Sequence, residues 1–290
     1  MAAGAIGHHR RVVQASRTLR YDSLAALFTR GGAVVLSGAG LSTDSGIPDY
    51  RGPTGLARRA TPMTFQAFTG GAAARQRYWA RSHLGWGHIA AALPNEGHRA
   101  VAELERRGLV DGVITQNVDG LHQAAGSTEV IELHGSLHRV RCLGCDDRTA
   151  RTELMRRLAE ANPDWAGSTR SALIKPDGDA VLDDDTISTF NVVGCVRCGG
   201  VLKPDVVFFG ENVPPERVAA CYARVTRAKS LVVLGSSLTV MSGLRFVRRA
   251  ADLGIPVAIV NQGTTRGDPL ASVRIDAPLG DVLGEVLAAG

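Results

Sequence analysis

Cys142, Cys145, Cys195 and Cys198 form two Cys-x-x-Cys pairs, and four thiols carried on two tight turns can close around one tetrahedral metal ion. All-thiolate ligation favours zinc, and four protein ligands leave no open position for water, so such an ion is structural. The 49 residues between the pairs exceed the ~15–20 of a plain zinc ribbon, so an extended insert separates the two halves. No secretory signal pattern precedes the pairs; they read as metal ligands rather than disulfides, and the chain as belonging to a reducing compartment. The fifth cysteine, Cys221, sits in a helical pattern beside Ala219, Ala220 and Tyr222 and reads as core.

A second constellation opens at Gly38-Ala39-Gly40, directly after the apolar run Ala33-Val34-Val35-Leu36. A glycine turn between a strand and a helix start lets backbone N–H groups approach a phosphate at the helix N-terminus, which suits a pyrophosphate. A conventional NAD dehydrogenase would add an acidic residue ~20 positions on to hold the adenine ribose. Arg58 and Arg59 stand there instead, after Ile47-Pro48-Asp49-Tyr50-Arg51-Gly52, whose proline and glycine specify a structured loop rather than a second strand.

The elements that must position these groups alternate. Short buried strands are predicted at Ala33 to Leu36, Gly112 to Thr115, Val130 to Leu133, Val206 to Phe209, Leu231 to Gly235 and Val257 to Asn261. Helices are predicted over Ser16 to Arg30, Gly97 to Arg107, Glu216 to Lys229 and Ser242 to Leu253. That order implies an α/β fold, a Rossmann-like doubly wound parallel sheet covered on both faces. Two excursions break it: a helical insertion at about 53–94, and a small zinc-binding module at 137–201. The sheet domain is thereby divided into 1–136 and 202–290. The 34 glycines, 44% hydrophobic content and absence of any bilayer-length apolar run fit a water-soluble enzyme. A net charge of +5 with dispersed arginines argues against a nucleic-acid surface; Arg148, Arg151, Arg156 and Arg157, beside Glu153 and Glu160, read as a solvated helix face.

Six motifs then stand in one order: Gly38 through Arg51; Thr115-Gln116-Asn117-Val118-Asp119-Gly120-Leu121-His122; Glu132-Leu133-His134-Gly135; the cysteine pairs; Lys203-Pro204-Asp205-Val206-Val207-Phe208-Phe209-Gly210-Glu211; and Gly235-Ser236-Ser237-Leu238. In this order they resemble the sirtuins, from about Tyr21 to the C-terminus. Arg75-Gln76-Arg77-Tyr78-Trp79-Ala80-Arg81 and the stretch around Cys195 to Gly200 look like class II sirtuins, specifically the mitochondrial sirtuin-four group and its bacterial relatives.

The resemblance implies NAD as a consumed co-substrate and one structural zinc. It implies that Gly38, Ala39 and Gly40 hold the pyrophosphate, and that Asp49, Tyr50 and Arg51 order the cofactor loop. Gln116, Asn117, Val118 and Asp119 fall where the family binds the nicotinamide ribose and carboxamide; Gly235, Ser236, Ser237, Asn261, Gln262 and Gly263 fall where it holds the adenosine ribose, with Leu279 meeting adenine through its main chain. His134 matches the catalytic base, which activates a ribose hydroxyl after the acyl oxygen has displaced nicotinamide, and Asn117 is grouped with it as catalytic. His122 reads as packing or as support behind the site. Val207 and Phe208 would line an acyl-lysine tunnel, with the end of the Val206 to Phe209 strand offering main-chain groups to an extended peptide. Tyr78 and Arg81, three apart on one helix face, match a pair that reads an acyl carboxylate in the desuccinylase branch of the family.

The implied activity is NAD-dependent protein-lysine deacylation, with acylated-lysine proteins as partners and neither nucleic acid nor membrane involved. A mono-ADP-ribosyltransferase using the same site is the alternative; a zinc-ribbon binding module leaves Gln116 to Asp119 and His134 unexplained. Arginine far outnumbers lysine, which occurs only at 175, 203 and 229, and this pattern suggests a bacterial cytoplasm, or a mitochondrial matrix if the source is eukaryotic. The basic, acid-free segment from Met1 to Arg20 is read as a solvated terminus rather than a transit peptide.

Overall fold

In the computed structural model, residues 19–49, 62–167, 182 and 184–289 are described. Strand β1 (Ala33–Ser37) is buried along its whole length: Val35 joins one apolar cluster, while Val34 and Leu36 join another. A strand wet on neither face belongs inside a parallel sheet with helices on both sides. Around it lie β2 (Val110–Thr115), β3 (Val130–Glu132), β7 (Ser230–Leu234), β8 (Val257–Val260) and β9 (Val273–Ile275), in the order β3-β2-β1-β7-β8-β9 with every pairing parallel. The chain winds outward in both directions from β1 and β7, so the topological switch lies between them, and ligands bind outside the carboxyl ends of strands at such a point.

One face is covered by the helix over 19–29 (α1), by α4 (Glu96–Arg106) and by α10 (Leu279–Ala289), through Phe28, Val101, Leu104, Val282 and Val286. The other is covered by α8 (Pro215–Arg227) and α9 (Met241–Asp252), through Val225, Phe246 and Val247. Helix α8 starts with Pro215 and Glu216 and ends with Arg224 and Arg227, an order that suits both the missing donor of the first turn and the helix dipole. Cys221 is fully buried in the same cluster, and burial pushes its thiol up to about 12, as befits a core thiol.

The expected strand from Val206 to Phe209 is corrected. The ladder is β6 (Leu202–Val206), and it belongs to a separate three-stranded antiparallel sheet, β5 (Arg148–Ala150), β4 (Gly135–Cys142), β6. Val207 N–H still donates to the His134 carbonyl (2.8 Å), one step beyond the Gly135–Val206 pair, and the chain then turns away as Phe208 N–H donates to Glu211 Oε2 (2.8 Å). The small sheet therefore extends past 137–201 at both ends. Strand β9, three residues long, carries no periodic signal and was not predicted.

The two excursions share one core. Described residues of the helical insertion form α2 (Phe65–Gly70) and α3 (Ala72–Ala91); its stretch 53–61 lies outside the described residues. Phe68, Tyr78 and Trp79 pack with Val140, Leu154, Phe190 and Leu202 of the cysteine module, and Trp79 Nε1 donates to the Leu202 carbonyl at 3.1 Å. Arg151, expected on a solvated face of α6 (Arg151–Ala161), is only 1% exposed. Its guanidinium lies 4.8 Å from the Trp79 ring and 5.3 Å from that of Trp86, and Nη2 donates to Ser82 Oγ at 2.7 Å. Helical spacing of charges cannot reveal a partner surface supplied from 70 residues upstream, and here that surface is aromatic. No helix among the described residues is long and apolar enough to cross a membrane.

Candidate active site and metal centre

A cavity of about 1100 Å³ opens at the switch point, between the strand ends and the small lobe. The turn after β1 forms one wall. The loop was predicted to lead into a helix, but two single 3-10 turns follow it, Ala39–Leu41 and Thr43–Ser45, and Gly46 in the left-handed region (φ 83°) stops the second. Gly38 N–H donates to the Leu234 carbonyl (3.0 Å), Gly40 N–H to that of Gly235 (2.9 Å), and Leu41 and Ser42 N–H bond within the turn. The amides of Gly38 and Gly40 are thus engaged by the end of β7 and the turn after it, while Gly38, Ala39 and Gly40 all line the cavity. The role of the two glycines in this structure is close approach: a Cβ on Gly40 would stand 2.9 Å from the Gly235 carbonyl, and one on Gly38 2.7 Å from the Ser236 Cβ. The turns after β1 and β7 are thereby pressed together across the switch.

Behind them runs a buried polar chain. Asn117 Nδ2 donates to the Gly38 carbonyl and to Ser42 Oγ, both at 3.0 Å, and Ser42 Oγ donates to Asp119 Oδ2 at 2.8 Å. Both amide protons of Asn117 are used, so Oδ1 is the atom left to meet a ligand. Asp119 also accepts from Leu121 N–H at 3.0 Å; desolvation raises its pKa, opposed by these hydrogen bonds. Gln116 Nε2 donates to Ser236 Oγ at 2.8 Å, tying the second motif to the turn after β7.

His134 precedes β4 and faces the cavity. Its Nδ1 lies 2.9 Å from the Gln116 carbonyl and its Nε2 2.9 Å from Ser242 Oγ. A carbonyl only accepts, so Nδ1 carries the proton and Nε2 offers a lone pair. Burial lowers the pKa of His134, Arg217 and Arg245 lower it further, and the Gln116 bond opposes them. The imidazole is thus neutral at neutral pH, the state a proton acceptor needs.

The cavity is also lined by Ala39, Asp49, Val118, Gly235, Ser237, Gln262, Gly263 and Leu279. Asn261 lines it while Nδ2 folds its own loop, donating to the carbonyls of Gln262 (2.8 Å) and Gly263 (3.0 Å). Val207, Phe208 and Tyr78 line the small-lobe side with Ile47, Met63 and Leu137. Tyr50 and Arg51 lie outside the described residues. The Tyr78 and Arg81 pair is split: Tyr78 is 2% exposed, its ring held against Phe68 and Phe208, whereas Arg81 does not line the cavity. No Lys or Arg does so among the described residues.

Several supports stand behind these residues; the sequence reading anticipated His122 among them and missed the roles of Lys203, Ser42 and Ser242. Lys203, 4% exposed, pairs with Glu211 at 2.9 Å and lies 4.5 Å from the Phe208 ring, pinning the turn that carries Val207 and Phe208. His122 Nε2 lies 2.8 Å from Ser37 Oγ, which donates to Thr115 Oγ1 (2.9 Å), which in turn accepts from Asn117 N–H (3.1 Å). Ser242 had no signal, being a lone serine at a helix start. Ser42 had one, since it lies inside the first motif.

The four cysteine sulfurs lie within 4.8 Å of one another, Cys142 to Cys198 at 3.5 Å and Cys145 to Cys195 at 3.8 Å. Tetrahedral zinc with Zn–S bonds of about 2.3 Å needs sulfurs about 3.8 Å apart, so the donor set fits the ion. Gly144 N–H points at Cys142 Sγ (3.3 Å) and Gly200 N–H at Cys198 Sγ (3.4 Å), donors suited to thiolates. A Cβ on Gly200 would crowd Cys198 Sγ at 3.0 Å.

An open α/β sheet with paired turns at its switch point and a four-cysteine lobe across the cleft define a nucleotide-dependent, metal-stabilised enzyme. The model of the Sir2 family matches residues 38–242. A Streptomyces coelicolor protein named NAD-dependent protein deacetylase 1 is 63% identical over 256 residues, 88% of this chain and 85% of its own length; one of the same name from Mycobacterium avium is 55% identical over 252 residues, 86% and 88%. A solved Sir2–p53 peptide–NAD+ complex is 30% identical with a TM-score of 0.74, covering 92% of this chain and 97% of that one. The chain belongs to the Sir2 family.

Proposed function

We propose that this protein is an NAD-dependent protein-lysine deacylase of the class II, sirtuin-four-like group, acting in the cytoplasm. The observation that carries the activity is the fixed tautomer of His134: an uncharged imidazole, bonded at Nδ1, with its basic Nε2 on the cavity that also holds the paired turns of β1 and β7. NAD, when bound, would supply a ribosyl carbon at which the acyl oxygen can form a bond as the bond to nicotinamide breaks and nicotinamide leaves. His134 then accepts a proton at Nε2. Asn117 and Asp119, locked through Ser42, orient the ligand beside it, and the apolar wall of Ile47, Met63, Val118, Leu137 and Phe208 excludes water from the acyl chain. The four cysteines would hold one zinc that fixes the small lobe.

The lining supports uncharged acyl groups. Its described acidic residues are Asp44, Asp49, Asp119 and Glu211, His134 is uncharged, and no Lys or Arg lines it among the described residues, so an acyl carboxylate meets acids there and no described cation. The test is a panel of lysine peptides bearing acetyl, propionyl, butyryl, succinyl and glutaryl groups, followed by peptide mass. Acetyl to butyryl removal at least ~10-fold faster than succinyl or glutaryl removal is expected. Preference for the dicarboxylic chains would overturn the acyl assignment; ADP-ribosylated protein with every peptide intact would replace deacylation by transfer to protein.

A further inference from the structure

Ser242 is the second residue of α9 and lies 108 positions from the histidine it touches. Its Oγ is 2.9 Å from His134 Nε2, its one hydrogen-bond partner among the described residues, and it lines the cavity. Because the Gln116 carbonyl holds the proton on Nδ1, Nε2 has no hydrogen to give, so the serine hydroxyl donates. Its oxygen lone pairs then remain for a ligand. The neighbouring residue also fits the helix start to this contact: a Cβ on Gly243 would stand 2.7 Å from Gln116 Oε1, so a larger residue there would push the Gln116 side chain aside.

We propose that Ser242 is part of the proton path of the deacylase, standing between His134 and the ligand hydroxyl that the base must activate. The inference rests on the deacylase reading. In one step the proton of the ligand hydroxyl moves to Ser242 Oγ while the serine's own proton moves to His134 Nε2. The products are an imidazolium, an intact serine hydroxyl and an oxyanion on the ligand, so protons and charge balance with no further reactant. Displacement of nicotinamide by the acyl oxygen precedes this step and needs no base. Ser242 therefore acts after nicotinamide has left.

The experiment compares wild type, Ser242→Ala and Ser242→Thr in two assays: exchange of labelled nicotinamide into NAD in the presence of acetyl peptide, and loss of acetyl from the peptide. Ser242→Ala is expected to lower acetyl removal by ~10-fold or more, at the low end of what a proton-transfer group contributes, while exchange stays within about twofold. Ser242→Thr, which keeps the hydroxyl, is expected to recover most of the loss. A readout without ligands accompanies these: 15N NMR of His134 in the free protein should show the Nδ1–H tautomer in wild type and a displaced Nε2 resonance in Ser242→Ala. Unchanged acetyl removal by Ser242→Ala overturns the proposal, as does equal loss of exchange and removal, which marks a merely structural residue. A wild type that exchanges no nicotinamide overturns the deacylase reading itself, and the proposal with it.

Discussion

The two chemical centres of this molecule are built in opposite ways. The metal centre is made by two short knuckles, each carrying its ligands three residues apart with a glycine amide turned onto a sulfur. The cavity is made by the ends of parallel strands and by loops from widely separated stretches of chain, and its parts are held by one another: Gly40 by Gly235, Asn117 by Gly38, Gln116 by Ser236, His134 by Ser242. A local site depends on its ligand for order. A distributed site depends on the fold, and one of its members can be lost while the rest stand.

The sharpest way to break this contrast is at the metal. Stripping zinc with a chelator, or replacing Cys142 with Ser, is expected to remove one zinc per chain and melt the lobe that Trp79 and Leu202 close, abolishing activity. Metal analysis with circular dichroism checks this; full activity in metal-free protein would undo the assignment. At the cavity, His134→Ala is expected to cut turnover by roughly 10²–10⁴ with an unchanged melting temperature, since the side chain bonds only at the cavity wall. A variant that also unfolds would erase the distinction between the two centres.

Between these extremes lie the glycines. Gly40→Ala places a methyl 2.9 Å from one backbone atom of the turn after β7 and 3.0 Å from another, so a loss of about 1–3 kcal/mol with weakened NAD binding is expected from denaturant titration and calorimetry.

A smaller effect comes from pH. His98 and His122 are buried, and burial lowers them to about 3 and about 4. The unfolded chain binds protons at these positions near pH 6.5 and the folded chain does not. Their contribution to stability is therefore complete above about pH 6.5 and lost as pH falls toward 4, with a slope of up to ~1.4 kcal/mol per pH unit for each. Urea unfolding across that window reads it, and a flat profile would contradict the buried neutral assignment. The least effect is expected from Arg81→Ala: acetyl and succinyl peptides should keep their rate ratio within about twofold, because Arg81 does not line the cavity.

The contrast also explains what could be read beforehand. Cysteine pairs and apolar runs are local signals, so the metal ligands, the strands flanking the switch point and the helices Glu96–Arg106, Pro215–Arg227 and Met241–Asp252 were legible within a residue or two of their predicted bounds. The site motifs were legible as a set. What failed depended on partners remote in sequence. Val206 closes a strand rather than opening one because Leu202–Val206 pairs with Gly135–Cys142 of the small sheet and Glu211 takes the Phe208 amide; Arg151 is buried because Trp79 and Trp86 arrive from the other excursion. Ser242 belongs to the same class.

The most direct test of the account is a mass balance. Purified protein, NAD and an acetyl-lysine peptide are incubated, and nicotinamide, deacetylated peptide and acetylated ADP-ribose are counted together for wild type and His134→Ala. One of each per turnover in wild type, and no acetyl transfer in the variant, is the expected result. Nicotinamide released with the peptide's acetyl group intact, or equal product from both proteins, would contradict it.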